Sequence, residues 1–422
     1  MANDFSPSFP DVWAREQQEI FFKVNVGRQL CKNWKTLGDI SYGDTLVRTY
    51  RSTDPTSAPA VYTRGTDMTY KEVSDVAETM TINRQFGELI YIDNFDKIQN
   101  AYDAAADYGR DQGIILSNQV DADILAEALN AYSTVDAGTL GGTTGQGITI
   151  SVSNIFSLFS AAKRKLEKLN VMVDETLYAV VTPEVKEIVS QYYAAKNTML
   201  GDKVSANGFL GNVFGWRDLY SSNNVTTRAT LALATNPSNG ETITLTDGST
   251  TFTVTFVSSI GSTAGNVLIG ANVDATRASA AALFNAPGTT NSTQVAFGTS
   301  SSTGAALEAY KKAVARVSAS NDNSADTLTV TWKGAGVMTV AETLSAGADV
   351  WTASLQKQFL LFGVKGNPVL VVQSEPGVVV KDHPFRNGKN ILNTVLYGVK
   401  TYRDNARKLV RVDVRTDTFT TS

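Results

Sequence analysis

At roughly 150 residues per domain, 422 residues allow two to three domains. Charged residues make up only 18%, below the ~25% of an average soluble domain, and the net charge of −4 gives no global attraction to nucleic acid or anionic lipid, so any DNA contact must be local. The single cysteine, Cys31, excludes an internal disulfide, and with the single histidine, His383, it excludes every Cys/His zinc motif, leaving only carboxylate metal sites open. No stretch approaches the ~18 apolar residues of a membrane span. Met1-Ala2-Asn3-Asp4 lacks the basic-then-apolar pattern of a signal peptide, so a reducing cytoplasm is the expected place of synthesis.

In chain order, Val12, Trp13, Ile20, Phe21 and Val24 predict a short amphipathic helix with Pro10 just outside its start. Lys23, Arg28, Lys32 and Lys35 follow with no acid among them, a set suited to phosphate or an acidic neighbour and equally to plain solvation. Alternating runs at Thr45 to Tyr50 and Ala77 to Asn83, separated by a long polar excursion, predict an extended hairpin. So few apolar residues near its tip cannot hold such a hairpin on its own chain, which implies a partner surface.

Asp93 to Tyr132 carries the longest helical pattern, with Asp103, Asp107 and Asp111 four apart on one face where like charges repel. Gly138 to Gly147 reads as a flexible linker, without the strand that a phosphate-cradling loop requires. A mixed α/β segment is expected next: helix 154–169, strand 177–181, helix 183–195 and a strand near 214–220. From about 226 to 355 the composition shifts to Thr, Ser, Ala and Gly. Strands at 242–245, 251–257, 267–269 and 327–332 and helices at 275–284 and 305–317 suffice there for a separate small α+β core. Strands return at 369–372, 378–380, 396–402 and 409–414.

Catalytic signatures are missing: there is no Walker A run, no Gly-x-Ser-x-Gly elbow and no His-Glu-x-x-His pair. His383 lies between Asp382 and Pro384 with no identifiable nucleophile, and Cys31, near Arg28 and Lys32, reads as a small apolar side chain. No enzyme and no cofactor are expected.

Several segments, in order, resemble the major capsid proteins of tailed bacteriophages: Phe9-Pro10-Asp11-Val12-Trp13-Ala14-Arg15-Glu16, Tyr42-Gly43-Asp44-Thr45-Leu46-Val47 and Val61-Tyr62-Thr63-Arg64-Gly65. So do Met80-Thr81-Ile82-Asn83, Ile92-Asp93-Asn94-Phe95-Asp96, Asn212-Val213-Phe214-Gly215-Trp216 and Tyr220-Ser221-Ser222-Asn223-Asn224. The resemblance implies an α+β, Hong Kong 97-type capsid fold: an N-terminal arm (1–42), an E-loop (43–92), a spine helix with the first part of a peripheral domain (93–150) and an axial domain (151–225). Residues 226–355 depart from the minimal pattern and resemble an inserted β-rich surface domain, after which 356–422 return to the axial and peripheral domains.

The implied function is a shell of hexamers and pentamers enclosing packaged double-stranded DNA, assembled in the bacterial cytoplasm and located in the virion. The implied partners are further copies of the chain, a separate scaffolding protein, a portal protein and weakly held DNA on the inner face, with no membrane. Candidate inter-subunit residues are Trp13, Arg48, Arg51, Arg64, Lys71, Glu72, Asp103, Asp107 and Asp111, with Arg64 and Lys71 expected to meet the acidic stripe of a neighbour. An encapsulin-like nanocompartment shell or a phage tail or adhesin component shares parts of this pattern.

Overall fold

Two hydrophobic periodicities decide the elements: alternation in the half-buried strands and three-to-four spacing in the helices. The computed structural model describes residues 25–33, 44–51, 61–67, 74–94, 104–171, 176–196, 212–246, 251–286, 288–297, 316–334, 339–352, 355–382 and 384–415. The elements run α1 (Gly27–Leu30), β1 (Lys32–Asn33), β2 (Thr45–Arg51), β3 (Asp75–Thr81), β4 (Arg84–Asp93), α2 (Ala104–Ala126), β5 (Ser133–Val135), β6 (Ile148–Thr149), α3 (Ile155–Lys168), β7 (Leu177–Val181), α4 (Pro183–Ala194) and β8 (Asp218–Ser221). They continue with β9 (Thr226–Ala232), β10 (Thr242–Thr246), β11 (Thr251–Val257), β12 (Asn266–Leu268), α5 (Val273–Asn285), β13 (Val317–Asp322), β14 (Thr327–Trp332) and β15 (Thr339–Glu342). The last are β16 (Lys357–Val364), β17 (Val369–Asp382), β18 (Gly388–Lys400), α6 (Arg403–Ala406) and β19 (Leu409–Arg415).

A nine-stranded sheet forms the backbone of the molecule, in the order β13-β14-β9-β16-β19-β5, with β6 beside β19 and β7 and β8 joined at β16. Its central strands β7 and β16 are near-continuous apolar runs because both of their faces are covered. On one face α3 buries Ile155, Leu158, Phe159, Ala162 and Leu166, and Phe159 packs on Phe362 with ring centroids 5.1 Å apart. Pro183 at the first turn of α4 fixes the start of that helix where no backbone donor is needed.

A second core lies within residues 229–351. A four-stranded sheet, β12-β11-β10-β15, turns Ile243, Leu245, Phe252, Val254 and Phe256 inward and its threonines outward. These meet Leu231, Leu328, Val330 and Trp332 of the large sheet, and α5 closes the core with Ala280, Leu283 and Phe284. The fully buried Arg277 is neutralised there by Asp274 and Asp326. The chain enters through β9 and leaves into β16, and these strands are antiparallel neighbours with Thr226 opposite Phe359.

A third sheet, β1-β17-β18-β4, carries α2 across one face through Leu116, Val120 and Ile124. Asp93 ends β4, which pairs with β18 from Arg84↔Tyr397 to Asp93↔Gly388, so the predicted helix at 93–132 differs at its first residue; Asn94 is helical, 95–103 lie outside the described residues, and the described helix runs over Ala104–Ala126. The apolar run Leu89-Ile90-Tyr91-Ile92 is too short for its periodicity to separate helix from strand. The glycines of 138–147 form a tied turn instead of a loose linker. Asp136 accepts hydrogen bonds from the Thr139 N–H at 3.0 Å and the Gly145 N–H at 2.6 Å, and Gly141 supplies the left-handed residue at φ 95°. Val317, the expected end of a helix over 305–317, opens β13, and residues 298–315 lie outside the described residues.

Candidate assembly interface

The β2–β3 hairpin is a two-stranded sheet whose strands pair only with each other among the described residues, from Thr45↔Thr81 to Arg51↔Asp75. Val47 is 58% exposed and Val76 39%, so apolar surface stands in solvent on a ribbon too thin to bury it. Its root is fastened. Lys400 Nζ lies 3.1 Å from Glu78 and donates to the Thr79 carbonyl at 2.6 Å, and the Arg403 N–H donates to Glu78 at 3.1 Å. Arg48 pairs with Asp404 at 2.6 Å and lies over the Tyr402 ring, whose hydroxyl burial pushes above its ordinary range. Met80 and Ile82 complete the attachment by packing on Val369, Val371 and Tyr402.

The expected contact residues separate into three groups. Arg48 is committed to Asp404 of its own chain. Arg64 is exposed in the turn before Gly65, whose φ of 87° suits glycine, and Asp111 is half-buried on α2. Trp13, Lys71, Glu72 and Asp103 lie outside the described residues, as do His383 and the side chains of Arg51 and Asp107.

The acids that organise the structure sit further along the same helix. Asp121 Oδ1 accepts the Val26 N–H at 2.9 Å and the Gly27 N–H at 2.5 Å, while Oδ2 accepts the Asn224 amide at 2.7 Å. Burial pushes this carboxyl up, and the hydrogen bonds from Asn224, Gly27, Val26 and Ser222 counter only part of that effect. One side chain thus joins the segment at Val26 and Gly27, α2 and the loop before β9. Asp123 takes Arg84 at 2.7 Å and the Tyr397 hydroxyl at 2.7 Å, with Lys333 at 3.7 Å. Burial works against the Arg84 guanidinium, but Asp123 outweighs it and raises its affinity for the proton. Glu127 accepts the Thr401 N–H at 2.9 Å beside the hairpin root.

The signal for these three acids is present in the sequence: Val120-Asp-Ala-Asp-Ile-Leu-Ala-Glu-Ala-Leu129 sets carboxylates into an otherwise apolar helix, which predicts buried, partnered charge. Cys31 sits against the α2 core, where burial, then Asp121 and Glu127, push its thiol well above the ordinary range. Among the described residues no three His, Cys, Asp or Glu side chains group as a metal site, and no helix is long and apolar enough to cross a membrane.

No family model and no curated protein matches the chain. Among solved structures it is similar to a chain from Mycobacterium phage Che8, with 13% identity, 98% of each chain covered and a TM-score of 0.55. It is also similar to a chain in the capsid structure of the Cyanophage P-SCSP1u, with 12% identity, coverage of 98% of this chain and 95% of that one, and a TM-score of 0.51. The chain therefore has the fold of a phage capsid protein.

Proposed function

We propose that the chain is a major capsid protein that self-assembles into the icosahedral shell of a tailed phage around its double-stranded DNA. The observation that carries this reading is the capsid fold over 98% of the chain. The solvent-exposed β2–β3 hairpin supports it, because a ribbon fixed at its root that leaves Val47 and Val76 in solvent gains stability from a neighbouring copy. In this reading residues 1–42 are the N-terminal arm, 43–92 the E-loop, 93–150 the spine helix and first part of the peripheral domain, and 151–225 the axial domain. Residues 356–422 return to the axial and peripheral domains. Residues 226–355 are an inserted surface domain, as their own core and the adjacency of Thr226 and Phe359 support.

The role is structural, in the virion, after assembly in the bacterial cytoplasm with a separate scaffolding protein and a portal protein. Across subunits, Arg64 and Lys71 meet the acidic stripe of Asp103, Asp107 and Asp111. Electron microscopy of the full chain, expressed with and without the neighbouring candidate scaffolding gene, tests the proposal. Closed icosahedral particles are expected, and monomers or small oligomers under both conditions would reject it. Particles loaded with a cargo enzyme in place of DNA would favour a nanocompartment.

A further inference from the structure

Three Asn-Gly pairs occur in the sequence, at 207–208, 239–240 and 387–388, and the first lies outside the described residues. In such a pair the chain can react with itself, because glycine's bare backbone lets its amide nitrogen swing onto the carbonyl carbon of the asparagine side chain. What holds these two groups decides whether they meet. Asn387 and Gly388 stand on the return side of the β17–β18 hairpin tip, where Pro384, Phe385, Arg386 and Asn387 are all exposed. Gly388 opens β18 opposite Asp93, and its N–H donates to the Arg386 carbonyl at 3.0 Å, a bond inside the turn and not to a neighbouring strand.

Asn94 grips both carbonyl groups of Asn387. Its N–H donates to the main-chain oxygen at 3.0 Å and its side-chain amide to Oδ1 at 2.7 Å. A donor on Oδ1 draws electron density from Cγ and stabilises the negative charge that gathers on that oxygen during attack. Because this donor is itself a side chain, it can follow the carbonyl as it turns toward Gly388. Arg386, over the Tyr91 ring at 5.7 Å, and Lys389 flank the pair and favour the same charge. The acids that the sheet register brings to this corner are engaged: Asp93 by the Tyr91 hydroxyl at 3.0 Å and Asp382 by Lys389 at 3.9 Å.

Packing keeps the reactive neighbour in place. A Cβ at 388 would run into the Ile92 carbonyl oxygen and lie 2.6 Å from the Tyr91 hydroxyl, so the close approach of β18 to β4 requires glycine there. The pair at 239–240 is the contrast. The Gly240 N–H donates to the Phe256 carbonyl of β11 at 2.8 Å, and Asn239 Oδ1 accepts the Ser258 N–H at 2.8 Å and the Ser258 hydroxyl at 3.2 Å. Attacking nitrogen and target carbonyl are both tied there to β11 and the residue just past it, and a backbone donor cannot follow a turning side chain.

We propose that Asn387 and Gly388 form a self-modification site, at which the Gly388 nitrogen attacks Asn387 Cγ with Asn94 as the positioning residue. The Gly388 N–H gives its proton to water, the N–Cγ bond forms, the Cγ–Nδ2 bond breaks and ammonia leaves, giving a cyclic imide. Water then opens the imide: addition at the main-chain carbonyl carbon of residue 387 leaves isoaspartate, with Cγ in the main chain, and addition at Cγ leaves aspartate. Water is the only co-reactant, and the step is independent of the shell reading. Either product sets a new carboxylate at the exposed tip between Arg386 and Lys389, and the loss of ammonia makes the change one-way, so the charge of this tip records the age of the chain.

The test ages the full chain at about pH 7 and about pH 9, digests it with chymotrypsin, and follows the peptides spanning 239–240 and 387–388 by mass spectrometry for conversion of amide to acid, with isoaspartyl methyltransferase labelling to identify isoaspartate. Conversion at Asn387 is expected to be about tenfold faster than at Asn239, where hydrogen bonds to a strand must open first, and faster at the higher pH because the attacking nitrogen must lose its proton. Asn387→Gln, which moves the carbonyl carbon one methylene away, should remove the signal at this position and leave that at Asn239 unchanged. Asn94→Ala should slow conversion about fivefold and keep its pH dependence, whereas a merely loosened tip would speed it. No conversion at Asn387, equal rates at the two pairs, or labelling that survives in Asn387→Gln would overturn the site. Unchanged or faster conversion in Asn94→Ala would overturn the role of Asn94. The comparison of the two pairs within the wild-type chain needs no variant to fold.

Discussion

Asp121 joins three parts of the chain, because from α2 it gathers donors from two segments distant in sequence. Asp121→Ala leaves the Val26 and Gly27 N–H groups and the Asn224 amide without their acceptor. At about 1–3 kcal/mol for each unmet buried donor, a loss of at least about 3 kcal/mol is expected, read as a lower urea midpoint together with faster tryptic cleavage at Arg28. An unchanged cleavage rate would show that the segment is held by something else. Gly27→Ala strikes the same joint, since a Cβ there lies 2.9 Å from both Asp121 Oδ1 and Ile124 Cγ2. Asp136 gives the pH-dependent counterpart. Burial pushes its carboxyl up, but the Gly145 and Thr139 hydrogen bonds outweigh this and hold it below its ordinary value. Its contribution to stability is therefore complete above about pH 4 and lost as pH falls through the lowered value. Asp136→Asn should flatten that part of the acid limb in a comparison of unfolding midpoints against pH, and an identical limb in both proteins would refute the assignment.

For the elements, the hairpin and the 226–355 region make opposite predictions. Val47→Asp places a charge where the isolated chain is already solvent-exposed, so the unfolding free energy read from urea should change by less than about 0.5 kcal/mol while particle yield falls sharply. A yield equal to the wild type would remove the hairpin from assembly. Residues 226–355 expressed alone should unfold cooperatively, with a fluorescence change from Trp332 and Trp351, both buried in their core. A chain with no cooperative transition would show that this core needs the rest of the sheet. Much of this was legible in the sequence where one periodicity dominated: β7 at 177–181, β11 at 251–257 and β14 at 327–332 match the predicted strands, and α3 and α4 match within a residue at each end. It was illegible where tertiary pairing decided between equals, as in β4, and where a single carboxylate tied glycines into a turn, as Asp136 does. The acidic stripe at 103, 107 and 111 is legible because equal spacing is visible in one dimension. Val26, Asn224, Tyr397 and Thr401 come to Asp121, Asp123 and Glu127 from about a hundred residues or more away, so only the acid-in-apolar signal was readable, not what it would hold.

At the scale of the whole molecule, α2 is the common member of the separate parts. Asp121 ties it to the segment at 25–27, Asp123 to β4, β18 and Lys333 beyond β14, and Glu127, in the turn just past its end, to the corner after β18. Arg84→Met removes the closest cation from the buried Asp123 and should cost about 3 kcal/mol, with particle yield falling in parallel with the urea midpoint. Full yield despite that loss would separate monomer stability from assembly. The 226–355 region relates to this frame differently. Thr226 and Phe359 face each other across adjacent strands, so the main body is crossed at one narrow gate and its other strands do not pass through the region. A module of another length can therefore start and end at this pair of strands, provided that it supplies a strand beside β16 and a cation for Asp123. A change of length or composition in 226–355 thereby has one place at which to join the rest of the chain, the paired strands β9 and β16.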